Sequence, residues 1–176
     1  IGTSGQAGAF TEEVVRAVDE GVERPVVFPF SNPTSQAEAV PEDIIRWTEG
    51  RALVASGSPF DVVSYRGRVH RIGQGNNVFI FPGVGLGALV GGAEEVTEPM
   101  FTAAAEALAH LVDDDDLAIH ALYPNLRRLR DLTRHIAIEV AVEASKQTAS
   151  PMDHDEASAA VQRAMWTPRY PALRPV

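Results

Sequence analysis

The chain has 176 residues, 45% of them hydrophobic and 22% charged, enough to close a core of ordinary size and too balanced for collagen, a coiled coil or disorder. It has no cysteine, which excludes disulfides and thiolate metal sites and is compatible with a reducing compartment. A formal net charge of −9 disfavours nucleic acid and anionic membranes as partners, because both call for a basic face.

Gly2 to Gly8 reads as a glycine loop. Thr11 is a plausible N-cap, with Glu12 and Glu13 in the first helical turn, and Val14, Val15, Val18 and Val22 mark one helical face. Val26 to Phe30 is a short apolar run of the kind found in strands buried on both faces of a parallel sheet. Ser31 to Ser35 ends it with turn chemistry. Pro41 opens a second helix that runs to about Thr48 and stops at Gly50. Leu53, Val54 and Ala55 form another buried strand, closed by Gly57-Ser58-Pro59. This loop–helix–strand–helix–strand rhythm is that of a doubly wound α/β sheet. In such a sheet, ligands sit beyond the carboxyl ends of the strands. The Gly2–Gly8, Ser31–Ser35 and Gly57–Pro59 loops are therefore expected to face one crevice.

The texture then changes. Val62 to Tyr65 and Arg68 to Ile72 form a hairpin around Arg66-Gly67, and Gly73 to Asn77 is a polar loop. Phe101 to Val112 is helical, Asp113 to Asp116 is a solvated break, and Leu126, Leu129, Leu132, Ile136 and Val140 give an amphipathic helix. Arg127, Arg128 and Arg130 lie on its polar side, solvated or paired. Trp166 and Tyr170, in a polar and Pro-rich tail from Ser150, suggest docking, for example on a neighbouring subunit. No stretch approaches the roughly 18 apolar residues of a membrane span, and no secretory signal is visible.

Gly83-Val84-Gly85-Leu86-Gly87-Ala88 fits a G-x-G-x-x-A dinucleotide fingerprint in form only. Pro82 interrupts the strand it needs, and no acid ends a second strand about 20 residues on. A helix N-terminus with small residues for close packing is the favoured reading. The Gly2–Gly8 loop is a better ligand candidate, although a tight structural turn fits it too. Asn32, Asn76 and Asn77 carry uncharged amides that can orient a carboxylate, a hydroxyl or a nicotinamide amide; Asx-turns also account for them. The histidines form no metal-binding pair. Lys146 is the only lysine, and no general acid–base pair stands out.

Several segments then align with a known pattern: Ile1-Gly2-Thr3-Ser4-Gly5 through Gly8-Ala9-Phe10-Thr11, Arg24-Pro25, Ser31-Asn32-Pro33-Thr34, Glu49-Gly50-Arg51 and Ala55 to Phe60. The most specific is Gly73-Gln74-Gly75-Asn76-Asn77-Val78-Phe79-Ile80-Phe81-Pro82-Gly83. Leu122-Tyr123-Pro124, Ile136-Ala137 and Trp166 with Tyr170 follow in order. The sequence resembles the C-terminal part of malic enzymes, most closely the long-subunit form. The resemblance implies the second half of a Rossmann-like doubly wound sheet followed by a mainly helical region. It divides the chain into residues 1–76, half of an NAD(P)-binding domain; 77–149, a helical segment returning to the substrate and metal domain; and 150–176, a tail for subunit contacts.

The implied activity is oxidative decarboxylation of (S)-malate to pyruvate and carbon dioxide, with NAD or NADP and with Mg or Mn. Asn32, Asn76 and Asn77 would contact substrate. Thr3, Ser4, Gly5, Ser31, Asn32 and Asn77 would contact the cofactor. The family's Tyr acid, Lys base and acidic metal ligands precede this stretch, so no catalytic or metal-binding residue is assigned here. Ile1-Gly2 reads as a strand cut short, and the chain is expected to be a fragment, inactive alone, of a cytoplasmic homo-oligomer, dimer or tetramer. A non-catalytic NAD(P)-binding or regulatory module of the same fold is the alternative. The choice between NAD and NADP is open.

Overall fold

The glycine loop at the start of the chain is tied into a parallel sheet. In the computed structural model, which describes residues 1–167, Gly2 bridges Pro29 in parallel. Its N–H donates to the Phe28 carbonyl at 2.8 Å, and its own carbonyl accepts from the Phe30 N–H at 2.9 Å. Two units make up the chain: Ile1–Phe79 with Leu108–Leu129, and Ile80–Ala107 with the described residues from Arg130 onward.

In the first unit, α1 (Glu12–Asp19) starts at Thr11, whose side chain accepts from the Val14 N–H at 3.4 Å, a cap of a type worth about 1 kcal/mol. β1 (Val26–Val27), α2 (Pro41–Trp47) and β2 (Leu53–Ser56) follow, with Val26 opposite Leu53 in a parallel pair. Pro41 sits in the first turn of α2, where a missing N–H costs nothing. β3 (Val63–Tyr65) and β4 (Arg68–His70) form the expected antiparallel hairpin, and β5 (Gly73–Gln74) pairs in parallel with the far side of β2. The order is β1-β2-β5, with Gly2 bridged to the segment that continues β1. Neighbours follow chain order and run in parallel, as in one half of a doubly wound sheet. Val15, Val27, Ile44, Ile45, Val54 and Ile72 form the core beneath it.

Three expectations need correction in this unit. The Val26–Phe30 run is not buried throughout: Val27 and Pro29 are buried while Val26 is exposed, so only one side of β1 faces the core. The polar Gly73–Asn77 loop begins as a strand, because β2 offers it a free edge and Gly75 N–H donates to the Ser56 carbonyl at 2.8 Å. The run of four aspartates is not a solvated break. Asp113 caps α5 (Asp114–Ala118) by accepting from the Asp116 N–H, and Asp116 is itself buried against Arg71 at 2.5 Å.

The second unit is helical. α3 (Phe81–Val90) contains the whole Gly83–Ala88 stretch, which settles that stretch as a packing feature. α4 (Glu98–His110), α6 (Leu129–Ser145) and α7 (His154–Ala164) complete the order. Arg127 and Arg128 stand in a 3-10 turn before α6 rather than on its polar face. Arg130 donates to the Trp166 carbonyl at 3.1 Å. The tail holds a helix that its polar composition hid. Asp153 and Glu156 form a reciprocal capping box at the start of α7. Ile138, Ala141, Ala157 and Val161 share one buried cluster. Trp166 is exposed, and Tyr170 lies outside the described residues.

Close approach of α3 to α6 depends on glycine. A Cβ at Gly87 would lie 2.6 Å from Val140 Cβ and 2.7 Å from the Ala137 carbonyl, and one at Gly83 would lie 2.5 Å from Ile136. Gly85 faces open space. Gly87→Ala is therefore expected to lower stability by about 1–3 kcal/mol through overpacking, despite the better helix propensity of Ala. Gly85→Ala is expected to raise stability by up to about 1 kcal/mol. Urea unfolding of the two variants checks this; equal gains in both would contradict the close packing.

Candidate functional site

The three loops expected to share a crevice do meet, and an acid unremarked in the sequence joins two of them. Glu38, between Ala37 and Ala39, is completely buried. Its Oε1 accepts from the Ser4 N–H at 2.7 Å, the Ser4 hydroxyl at 2.9 Å and the Ser31 hydroxyl at 2.5 Å, and its Oε2 accepts from the Ser31 N–H at 3.3 Å. Ser31 Oγ also accepts from the Gly5 N–H at 2.9 Å. The loop after the Gly2 segment and the loop after β1 are thus fastened to one carboxylate. Burial pushes that carboxyl up, but hydrogen bonds from the Ser31 side chain, the backbone and Ser4 outweigh it and hold the group at about 2, against an ordinary 4.5.

The third loop joins through Asn32. The Ser58 hydroxyl donates to Asn32 Oδ1, and Asn32 Nδ2 donates to the Phe30 carbonyl at 3.4 Å. A carboxamide has two N–H donors and two lone pairs. These two bonds fix the plane of the amide and leave one N–H and one lone pair uncommitted on an exposed residue. Gly57 makes the approach possible, since a Cβ there would lie 2.1 Å from the Phe30 carbonyl oxygen. Gln74, in β5, donates to the Gly57 carbonyl at 3.3 Å.

Asn76 and Asn77 follow directly. Asn76 Oδ1 accepts from the Val78 N–H at 2.9 Å, which is the Asx-turn arrangement. Asn77 opens the 3-10 turn Asn77–Phe79, and both asparagines are exposed. Thr3, Ser4 and Gly5 are exposed and Ser31 is buried. The structure therefore joins Ser4, Gly5 and Ser31 through Glu38, and places Asn32 one residue on. Asn76 and Asn77 continue the strand whose Gln74 touches the same loops.

Glu38, Ser58 and Gln74 were missed in the sequence. In the sequence Ser58 is only one residue of the Gly57–Pro59 loop, and Gln74 reads as part of a polar loop. The only signal for Glu38 was an acid flanked by two small apolar residues just after a turn. Among the described residues, no three His, Asp or Glu side chains gather as a metal-binding group. Neutral, preoriented amides and exposed backbone beyond parallel strands can orient a ligand by hydrogen bonds.

The family described as "Malic enzyme, NAD binding domain" matches residues 1–145. The chain belongs to that family. The chain is 47% identical over 171 residues to the NAD-dependent malic enzyme of Proteus mirabilis (strain HI4320), covering 97% of the chain and 30% of that protein. It is 44% identical over 176 residues to NAD-dependent malic enzyme 3 of Bacillus subtilis (strain 168), covering 100% of the chain and 31% of that protein. The chain thus spans just under a third of the length of the curated relatives it matches. The fold class expected from the sequence, a Rossmann-like α/β sheet followed by helices, is the one observed.

A buried carboxylate held well below its ordinary range stabilises the fold above pH 4.5 and loses that contribution as pH falls toward 2. Glu38→Gln cannot accept from all these donors. It is expected to destabilise the domain by about 2–3 kcal/mol at pH 7, the size of charged hydrogen bonds. The deficit should shrink as pH is lowered from 4.5 toward 2. Urea unfolding at pH 7 and pH 3 measures it; a pH-independent deficit would contradict the ionised clamp.

Proposed function

We propose that this chain supplies dinucleotide and malate contacts within an NAD-dependent malic enzyme that converts (S)-malate to pyruvate and carbon dioxide. The observation that carries the reading is the joining of the loops beyond successive parallel strands, with Asn32 held in one orientation by Ser58 and Phe30. Membership of the NAD-binding domain family and the names of the relatives, NAD-dependent malic enzymes, support it.

In this reading Thr3, Ser4 and Gly5 run along the dinucleotide, and Ser31 keeps their backbone in place. Asn32 and Asn77 meet the nicotinamide end and malate, and Asn76 offers its remaining amide hydrogens to substrate while its oxygen holds the turn. NAD, when bound, supplies the hydride acceptor. The residues of this chain bind and orient. A neutral amide fixes the substrate carboxylate and hydroxyl without forming a rival ion pair as charge shifts during the reaction. The acid, the base and the ligands of Mg or Mn come from other parts of the enzyme. The same proposal assigns residues 1–76 to the nucleotide domain, 77–149 to the return into the substrate and metal domain, and 150–176 to subunit contacts in a cytoplasmic homo-oligomer. Among the described residues, no helix is long and apolar enough to cross a membrane.

The test is malate-dependent reduction of NAD by the complete polypeptide that carries this chain. Asn32→Ala and Asn77→Ala are each expected to lower kcat by about 100-fold, the scale of a lost positioning contact, while both variants still fold cooperatively. Asn77→Ala is expected to keep the unfolding midpoint, and Asn32→Ala to lower it modestly because Ser58 loses its acceptor. Wild-type turnover in both variants would remove the assignment. The 176-residue chain alone is expected to turn over no malate.

A further inference from the structure

The amino ends of β1 and β2 hold a second feature, at the opposite end of the sheet from the loops above. Arg24 precedes β1 and Glu49-Gly50-Arg51 precedes β2. With the β3–β4 hairpin they line a cavity of about 640 Å³. Arg24, Arg51, Arg66 and Arg68 face it, against only Glu23 and Glu49, in a chain whose net charge is −9. Asp19 holds Arg51, and Glu49 holds Arg66 at 3.1 Å. Among the described residues, Arg24 and Arg68 form no ion pair, and both are exposed.

The inner wall is a histidine pair. His70 is 2% exposed, and its Nδ1 lies 3.0 Å from Nδ1 of half-buried His120. His70 Nε2 is buried without a partner among the described residues. Burial tolerates a bare acceptor more readily than an orphaned N–H. The shared hydrogen therefore belongs on His70 Nδ1, donating to His120. That tautomer puts the remaining hydrogen of His120 on Nε2, as a donor available at the cavity wall.

We propose that this cavity binds a small phosphate-bearing metabolite, gripped by Arg24 and Arg68 with His120 as a further donor. Guanidinium forks match phosphate oxygens two at a time. The volume leaves room for an organic portion beside Tyr65, whose ring already carries Arg66 at 5.2 Å. Burial, then His120, then Arg68 hold the His70 imidazole below its ordinary range; burial, then Arg24 and Arg68, do the same for His120. A bound anion offsets the field of those arginines and raises the His120 value; the second hydrogen of His120 goes on Nδ1, so His70 Nδ1 becomes the acceptor and the His70 hydrogen moves to Nε2. Affinity must then increase as pH falls through the histidine range. The site is independent of the dinucleotide reading and stands or falls without it.

The experiment titrates the full chain with inorganic pyrophosphate, read by calorimetry and by imidazole resonances in nitrogen correlation spectra. Saturable binding is expected, with shifts at His70 and His120 and an upward move in the His120 titration. Arg24→Gln and Arg68→Gln should each weaken binding about tenfold, or ~1.4 kcal/mol, with unchanged circular dichroism. His120 has φ 57°, a conformation Asn tolerates, so His120→Asn should keep the fold while removing the pH dependence. Absence of saturable histidine shifts, or unaltered affinity in both arginine variants, overturns the site. Succinate binding as tight as pyrophosphate overturns the assignment to phosphate.

Discussion

One buried carboxylate governs the geometry of the candidate dinucleotide site. Glu38 has no access to water, and an isolated ionised carboxylate in that position would be costly. Four hydrogen bonds from Ser4 and Ser31 offset the cost. Because those donors belong to two loops that follow neighbouring strands, satisfying the charge also fixes the loops to one another. Ser31 transmits the restraint to Gly5, and Asn32 comes next in the chain. The positions proposed to bind ligand are thus held by a group that itself needs no contact with the ligand.

The parallel sheet gives the first unit two ends of different chemistry. Beyond the carboxyl ends lie hydroxyls, backbone and neutral amides. Such groups can orient a ligand by hydrogen bonds without adding a charge of their own. At the amino ends lie Arg24, Arg51, Arg66 and Arg68 around the paired His70 and His120. Since β1, β2 and β5 run the same way, every loop of one kind in that sheet falls at the same end. Sequence neighbours such as Arg24 and Phe30 therefore lie at opposite ends of the sheet although only β1 separates them.

Much of this was legible because strong local signals agreed with the fold. Thr11, Pro41 and the glycine-bounded apolar runs located α1, α2 and the two central strands. The order of those elements located the crevice. What stayed hidden depended on tertiary partners. β5 has only Gly73 and Gln74 and no apolar pattern; it is a strand because β2 presents an unfilled edge. Asp116 looked solvated until Arg71 closed on it. Glu38 carries no motif at all, since its importance comes from donors seven and thirty-four residues away. The capping box Asp153-x-x-Glu156 was readable, but the polar tail around it drew the reading toward loop. Asn32, Asn76 and Asn77 were visible as amides in turns. Only the structure shows that Asn76 uses its oxygen on Val78 while Asn32 is oriented by Ser58.

The most direct measurement is an experimental structure of the complete polypeptide carrying this chain, with NAD and a malate analogue bound. The dinucleotide is expected across the carboxyl ends of the strands, with Thr3 to Gly5 along it and Asn32 and Asn77 at the nicotinamide end. The Glu38 contacts to Ser4 and Ser31 should remain intact behind them. A dinucleotide bound elsewhere, or a Glu38 side chain released to contact the ligand itself, would contradict this arrangement.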